Sequence, residues 1–248
     1  MHASENPFVE VRPHPSRDRG RRFTRREVLV ALGGVGIACL TDRLAWAEDA
    51  SGGVCIARPA QTEGPFFVEE ALERSDIRSD PATGRQVDGT ALKLEFVVGA
   101  LSNGRCAPLP GAKIDVWHCD ASGRYSDVDN FGASTEGQKF LRGFQLADRD
   151  GVAAFTTIYP GSYAGRAVHI HFKIRTQLAA QLREFTSQIY FDDVFSDRIY
   201  AKGPYPAAQR RLRNAEDFLY RSGGARLTVE PQASSAGLTA RFAIGLAA

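Results

Sequence analysis

Two histidines one residue apart, His169 and His171, and two tyrosines set beside glycine-containing turns, Tyr125 and Tyr163, are the side chains whose types and spacing point to chemistry. Neutral imidazole binds metal ions and serves equally as a hydrogen-bonded core group, so His-x-His alone leaves both uses open. The surroundings narrow the choice of ion. No Asp, Glu or Cys lies within residues 159–174 to complete the two-histidine, one-carboxylate set expected for ferrous iron. Phenol ionises at about pH 10, so only a strongly Lewis-acidic cation deprotonates it at neutral pH. Ferric iron, hard and oxygen-seeking, is such a cation.

The histidines need a strand to present them together. Val168, Ile170, Phe172 and Ile174 alternate with Ala167, His169, His171 and Lys173, the period of a half-buried β-strand. Both imidazoles then point to one side, with Cα atoms roughly 6.5 to 7 Å apart. Further strands are expected over residues 91–98, 112–119, 152–158 and 186–191, and late in the chain over 227–229 and 238–244. Asn103-Gly104 and Asp148-Arg149-Asp150-Gly151 supply turns between them. Within 112–119, His118 shares a face with Ile114 and Val116, which marks it as a structural histidine, and Trp117 reads as core. Residues 176–185 suit a short helix or a hairpin excursion. Leu212, Ala215, Phe218 and Leu219 have roughly helical spacing within 207–220, and Ser222-Gly223-Gly224 is the stop. Many short strands and little helix predict an all-β fold, a sandwich or a barrel. A β-sandwich of mainly antiparallel strands with long active-site loops is the expected form. No internal repeat or composition break divides the chain after residue 60, so residues 48–248 are expected to form a single domain.

The first 47 residues read differently. A basic segment ending in Arg21-Arg22-Phe23-Thr24-Arg25-Arg26 precedes an apolar run over 28–40 and the small-x-small pattern Ala45-Trp46-Ala47, the layout of a secretory signal. The Arg25-Arg26 pair makes it a twin-arginine-type signal, an address that carries proteins already folded and so suits one that acquires its metal in the cytoplasm. A retained anchor is the alternative. The expected location is exported, periplasmic or extracellular, with the twin-arginine export machinery as a partner. Residues 1–47 hold eight Lys/Arg and five Asp/Glu of the 31 and 29 in the chain, leaving 23 and 24 in the mature part. That near-balance gives no reason to expect nucleic acid or an anionic membrane as partner. Cys55, Cys106 and Cys119 remain, enough for one disulfide and one thiol, and their pairing is left open.

The run Asp115-Val116-Trp117-His118-Cys119-Asp120-Ala121-Ser122-Gly123-Arg124-Tyr125-Ser126, then Pro160-Gly161-Ser162-Tyr163, then Arg166-Ala167-Val168-His169-Ile170-His171, resembles the intradiol ring-cleavage dioxygenases. These include the catechol and protocatechuate dioxygenases and their exported relatives. The resemblance spans about residues 62–191. It implies that Tyr125, Tyr163, His169 and His171 hold one Fe(3+), and that a catecholic substrate chelates the iron and displaces Tyr163, whose phenolate then takes a substrate proton. O2 opens the ring between the hydroxylated carbons to give a muconate-type diacid. Arg166 is expected beside the substrate, where a fixed guanidinium stabilises developing negative charge. Gln188, in a Gln-x-Tyr-Phe strand like one in the family, is the second expected substrate contact.

Two departures from the family fall at the expected pocket rim. Only Ala164 and Gly165 separate Tyr163 from Arg166, where the protocatechuate enzymes have a longer insertion, and Ala167 replaces their Pro. They leave the metal set intact and the identity of the catechol open, as is a homo-oligomeric state. The competing reading is an exported β-sandwich binding module without redox activity. An esterase or zinc hydrolase is disfavoured, because neither a nucleophile elbow nor His-Glu-x-x-His occurs.

Overall fold

The computed structural model describes residues 55–130, 133–178, 180–206 and 211–247, so the signal expected over 1–47 lies outside the described residues. Within them the strands are β1 (Ala91–Ser102), β2 (Arg105–Pro108), β3 (Lys113–Trp117), β4 (Asp129–Asn130), β5 (Ala133–Ser134), β6 (Arg142–Leu146) and β7 (Val152–Ile158). They continue with β8 (His169–Leu178), β9 (Gln181–Phe191), β10 (Thr228–Val229), β11 (Gln232–Ser234) and β12 (Gly237–Ala247), and the α-helices are α1 (Asp193–Tyr200) and α2 (Phe218–Arg221). One sheet runs β11-β12-β1-β2, with β7 also paired to β1; a second runs β10-β9-β8-β3-β6; β4 and β5 form a small ribbon. The fold is all-β, as the periodicity predicts. Most pairings are antiparallel, but β1 lies parallel to β12 along ten residue pairs, and β9 parallel to β10.

The core lies between the two sheets. Leu92, Leu94, Phe96 and Val98 of β1, with Phe155 of β7 and Phe242 and Ile244 of β12, meet Ile114 and Val116 of β3, Ile170, Phe172 and Ile174 of β8 and Ile189 of β9. Phe96 joins the layers, its ring 5.3 Å from Phe172 and 5.9 Å from Phe242. Alternation then sends the intervening residues of β3, β8 and β9 to the outer face of the second sheet.

Register decides what that outer face carries. Directly opposed residues share a face, and the pairs run Lys113 with Arg175 and Arg175 with Glu184, then Asp115 with Lys173, then Trp117 with His171 and His171 with Gln188, then His169 with Tyr190. One end is an ion-pair lattice and the other a polar, aromatic patch holding both histidines. Residues 61–70 lie across this face as a strap. Gln61 N bonds Thr186 O at 2.9 Å; Glu63 pairs with Lys173 at 2.7 Å, and Glu69 with Arg175 at 2.6 Å. Phe67 sits beneath the Lys173 ammonium, 4.0 Å from the ring centre, and edge-on to Trp117.

Two segments depart from the sequence reading or resolve it. Residues 176–178 and 181–185 belong to the paired strands of the β8–β9 hairpin, with Ala180 in the left-handed region at φ 62°. The helix expected over 207–220 is absent among the described residues of that stretch, which hold a 3-10 turn at Asn214–Glu216 and the short α2. Here the buried side chains are polar, namely Arg211, Asn214 and Asp217, while Phe218 is 63% exposed. Arg211 binds Asp193 and Asp197, and Asn214 Nδ2 donates to Phe191 O. Polar anchoring, and not an apolar stripe, attaches this segment, which is why hydrophobic spacing misread it.

Cys55 and Cys106 form a disulfide, and Cys119 is a buried thiol. Closing a loop between residues 51 positions apart restricts the unfolded chain by about 4 kcal/mol on loop-entropy grounds. Reduction is therefore expected to lower unfolding free energy by about 2–4 kcal/mol. Denaturant melts with and without reductant measure it, and coincident curves would contradict it.

Candidate metal centre

His169 and His171 reach the outer face from β8, and their rings meet there with Nε2 atoms 3.0 Å apart. His169 Nδ1 is 2.6 Å from Ala167 O, a carbonyl that can only accept, so Nδ1 carries the proton and Nε2 presents a lone pair. Trp117 stacks on His171 at 5.1 Å with the planes 6° apart, fixing that ring from the neighbouring strand. Gly64 of the strap closes over it; a Cβ there would stand 3.3 Å from His171 Cε1.

The tyrosines come from two turns locked backbone to backbone. In the first, the Asp120 carboxylate accepts from Ser122 N, Arg124 N and the Arg124 guanidinium. In the second, Pro160 to Tyr163 passes so close that a Cβ on Gly161 would lie 2.2 Å from Asp120 O, and one on Gly123 2.2 Å from Ser162 O. Only glycine permits this approach, and Gly123 also has φ +86°. Buried Arg142 donates to Ser126 O at 2.6 and 3.0 Å, and Thr135 Oγ1 donates to Tyr125 O, holding the far side of the first turn. Tyr125 and Tyr163 thereby lie with ring centres 5.7 Å apart, and Phe66 of the strap stacks on Tyr125 at 4.4 Å.

Four donor atoms converge as a result. Tyr125 Oη is 3.4 Å and Tyr163 Oη 3.3 Å from His169 Nε2, which is itself 3.0 Å from His171 Nε2. Burial, reinforced by Arg166, pushes the His169 pKa down to about 3. Burial and the neighbouring His169 push His171 well below its ordinary value, so both rings are neutral at physiological pH. Burial pushes the Tyr163 phenol up to about 12 against the pull of Arg166, and it also raises Tyr125 well above its ordinary value, with Tyr163 adding to the effect. Two nitrogen lone pairs facing each other at this distance repel unless a proton or a cation lies between them. His171 Nδ1 is buried without a hydrogen-bond partner, so Nε2 is its polar outlet. Such a set fits a hard cation charged highly enough to ionise desolvated phenols. Among the described residues no group of three His, Cys, Asp or Glu converges to hold a metal, so the donors beyond the imidazoles are the phenols.

Arg166 enters across the short Tyr163–Arg166 turn, its Nη1 3.4 Å from His169 Nε2. Its Nη2 donates to Gln188 Oε1 at 2.5 Å and Tyr190 Oη at 3.2 Å, and its Nε to Asp217 Oδ2 at 3.0 Å. Gln188 is fully buried; its oxygen accepts from Arg166 and its amide donates to Thr62 O, so it is engaged within the protein on both ends. Tyr190 Oη lies 3.0 Å from both Gln188 Oε1 and Gln61 Oε1, and its one proton goes to one of the two. His118 lies apart, held by Cys119 O at 2.9 Å and Thr157 Oγ1 at 2.6 Å. Sequence reasoning placed residues 62–67, Phe66 among them, at the site mouth without assigning any one of them a role, and passed over Gln61, Tyr190 and Asp217. Tyr190 was findable, being two residues beyond Gln188 on the same strand face. Asp217 left no signal, because it sits where a helix was expected. A separate cavity of about 580 Å³ borders the 120–124 turn, lined by Asp80, Arg85, Asp88 and Arg124 among others, and none of the four donors lines it.

The family model for Dioxygenase matches residues 62–224. With two phenols and two imidazoles converging on the outer face of a sandwich sheet, the chain belongs to the intradiol ring-cleavage dioxygenase family. Its fold aligns with the intradiol ring-cleavage dioxygenase from Tetranychus urticae at a TM-score of 0.68 and 29% identity, covering 77% of this chain and 94% of that one. It is 31% identical over 180 residues to catechol 1,2-dioxygenase from Acinetobacter baylyi, covering 63% of this chain and 53% of that protein. It is 30% identical over 162 residues to chlorocatechol 1,2-dioxygenase from a Pseudomonas species, covering 55% and 56%. The chain thus spans about half the length of these two relatives.

The locked turns give a contrast in glycine substitutions. Gly161→Ala forces a Cβ into Asp120 O and Ala121 O and is expected to cost about 2–3 kcal/mol and weaken metal uptake. Gly165→Ala meets nothing within 4 Å but has φ +85°, so about 1–2 kcal/mol of backbone strain with normal metal uptake is expected. Melts and metal analysis of both variants test this, and equal behaviour would contradict it.

Proposed function

We propose that this protein is an exported Fe(3+) intradiol dioxygenase that opens the ring of a catechol-type substrate with O2 to give a muconate-type diacid. The observation that carries the reading is the convergence of Tyr125, Tyr163, His169 and His171 with the Arg166 guanidinium 3.4 Å from His169 Nε2. The names of the catechol and chlorocatechol dioxygenases it resembles support a catecholic substrate. The Cys55–Cys106 disulfide supports an oxidising compartment, in keeping with the twin-arginine-type segment at residues 1–47. Both atoms of O2 enter the product, so no external reductant is needed.

Tyr125, Tyr163, His169 and His171 would hold the iron. When bound, ferric iron would draw electron density from a chelated catecholate and so open its ring to O2. Tyr163 is the phenol suited to moving, because its side chain is partly exposed while Tyr125 is buried beneath Phe66. Phenol ionises only at about pH 10, so a released tyrosine phenolate is basic enough to accept the proton of a substrate hydroxyl. Arg166 supplies a fixed positive charge toward the oxygens on which negative charge grows. Gln188 and Tyr190 steady that guanidinium, so Gln188 serves the substrate through Arg166. Phe66, Phe67 and Trp117 wall the centre with apolar surface and keep water from it.

Purified, iron-replete protein is expected to be coloured by a tyrosinate-to-iron charge-transfer band, which Tyr125→Phe or Tyr163→Phe shifts or abolishes. Colourless, iron-free protein after expression with ample iron would sink the reading. Stripping the iron with a chelator should end O2 uptake on catechol, and adding ferric or ferrous salts back under air should restore it. Arg166→Ala is expected to keep iron and colour and to lose about 100- to 1,000-fold in kcat. Loss of iron in that variant would instead make Arg166 structural. O2 uptake across a panel of substituted catechols would identify the substrate.

A further inference from the structure

We propose that Asp217 is a positioning residue for Arg166, dividing its carboxylate between the guanidinium and the N-terminus of α2. The idea rests on the dioxygenase reading for its consequence and on geometry for its substance. Asp217 lies in the C-terminal segment, fully buried, and approaches the centre from outside both sheets' strands. Its Oδ2 accepts from Arg166 Nε at 3.0 Å and from Ala167 N at 2.9 Å. Its Oδ1 accepts from Leu219 N at 2.8 Å and Tyr220 N at 3.3 Å, capping α2. Each oxygen therefore has one task.

A guanidinium is a rigid planar fork, so fixing two of its nitrogens fixes the third. Asp217 holds Nε and Gln188 with Tyr190 holds Nη2, which leaves Nη1 aimed at His169 Nε2. Ala167 N shares the same carboxylate oxygen, so Asp217 also fixes the backbone between Arg166 and the start of β8. Burial opposes ionisation of Asp217, but the Ala167 amide and the Arg166 charge hold its carboxyl below the usual range, so it is an anion at working pH. The acceptor character of Oδ2 matters most, because both groups facing it are N–H donors.

That division of labour makes Asp217→Asn informative. Asn is as good an N-cap as Asp, so with its oxygen toward Leu219 N the cap survives while an NH2 group confronts Arg166 Nε–H and Ala167 N–H. Asp217→Ser keeps a capping hydroxyl and has no second oxygen for Arg166. The first readout is solvent exchange of the Arg166 Nε–H, followed by heteronuclear NMR in protein loaded with Ga3+, a diamagnetic trivalent ion. The second is catechol turnover by iron-loaded protein, resolved into kcat and KM. Both variants are expected to lose about tenfold or more in Nε–H protection and in kcat, with KM within about threefold of wild type. Protection or kcat within about twofold of wild type in both variants, or kcat falling only in step with iron content, would overturn the proposal. If wild-type protein turns over no catechol, the dioxygenase reading fails by itself. The exchange measurement, made then on the metal-free protein, still decides whether Asp217 fixes Arg166.

Discussion

Five polar side chains, two imidazoles, two phenols and a guanidinium, are brought together on the outer face of a sheet with little water to solvate them. Burying such groups is unfavourable unless each finds a partner or a shared counter-ion. The remaining architecture answers that constraint. Neutral histidines result from burial, a strap of aromatic residues shuts out water, and buried Asp217 balances Arg166. The same desolvation that makes free phenolates unfavourable makes a trivalent cation the natural complement of the set.

Precision in the centre comes from stiff supports. The histidines stand on a strand held between β3 and β9, with Trp117 flat against His171. The tyrosines stand on turns whose backbones touch because Gly123 and Gly161 have no Cβ to intervene. Sites on loops are ordinarily less precise than sites on strands, and this backbone contact limits the freedom that a loop would otherwise have. Tyr163 is the exception, its ring less enclosed than that of Tyr125, and the difference matches the unequal tasks proposed for the two phenols.

The outer face also shows how one strand serves two purposes. Toward Leu178, β8 carries Lys173 and Arg175, which pair with Glu63, Glu69, Asp115 and Glu184. Such partly exposed pairs contribute little each, about 0–1 kcal/mol. Their value is geometric: they lay residues 61–70 over the sheet so that Phe66 and Phe67 reach the centre at the other end.

Local periodicity alone determined the longer strands, the shared face of His169 and His171 and the all-β class, because a period of two is written residue by residue. The shorter strands β2, β4, β5, β6 and β11 carry too few residues to show it. The motif around Tyr125, Tyr163 and Arg166 also made the family legible, since its order and spacing survive in the linear chain. Which outer-face neighbours surround the histidines depended on register between strands distant in sequence, and only the tertiary structure supplies that. The same holds for the Cys55–Cys106 pairing, where three cysteines allowed three answers until the chain was folded. The segment containing Asp217 was misread outright. Its attachment runs through buried polar contacts to Arg166, Ala167, Asp193 and Phe191, and such contacts leave no periodic trace in a sequence.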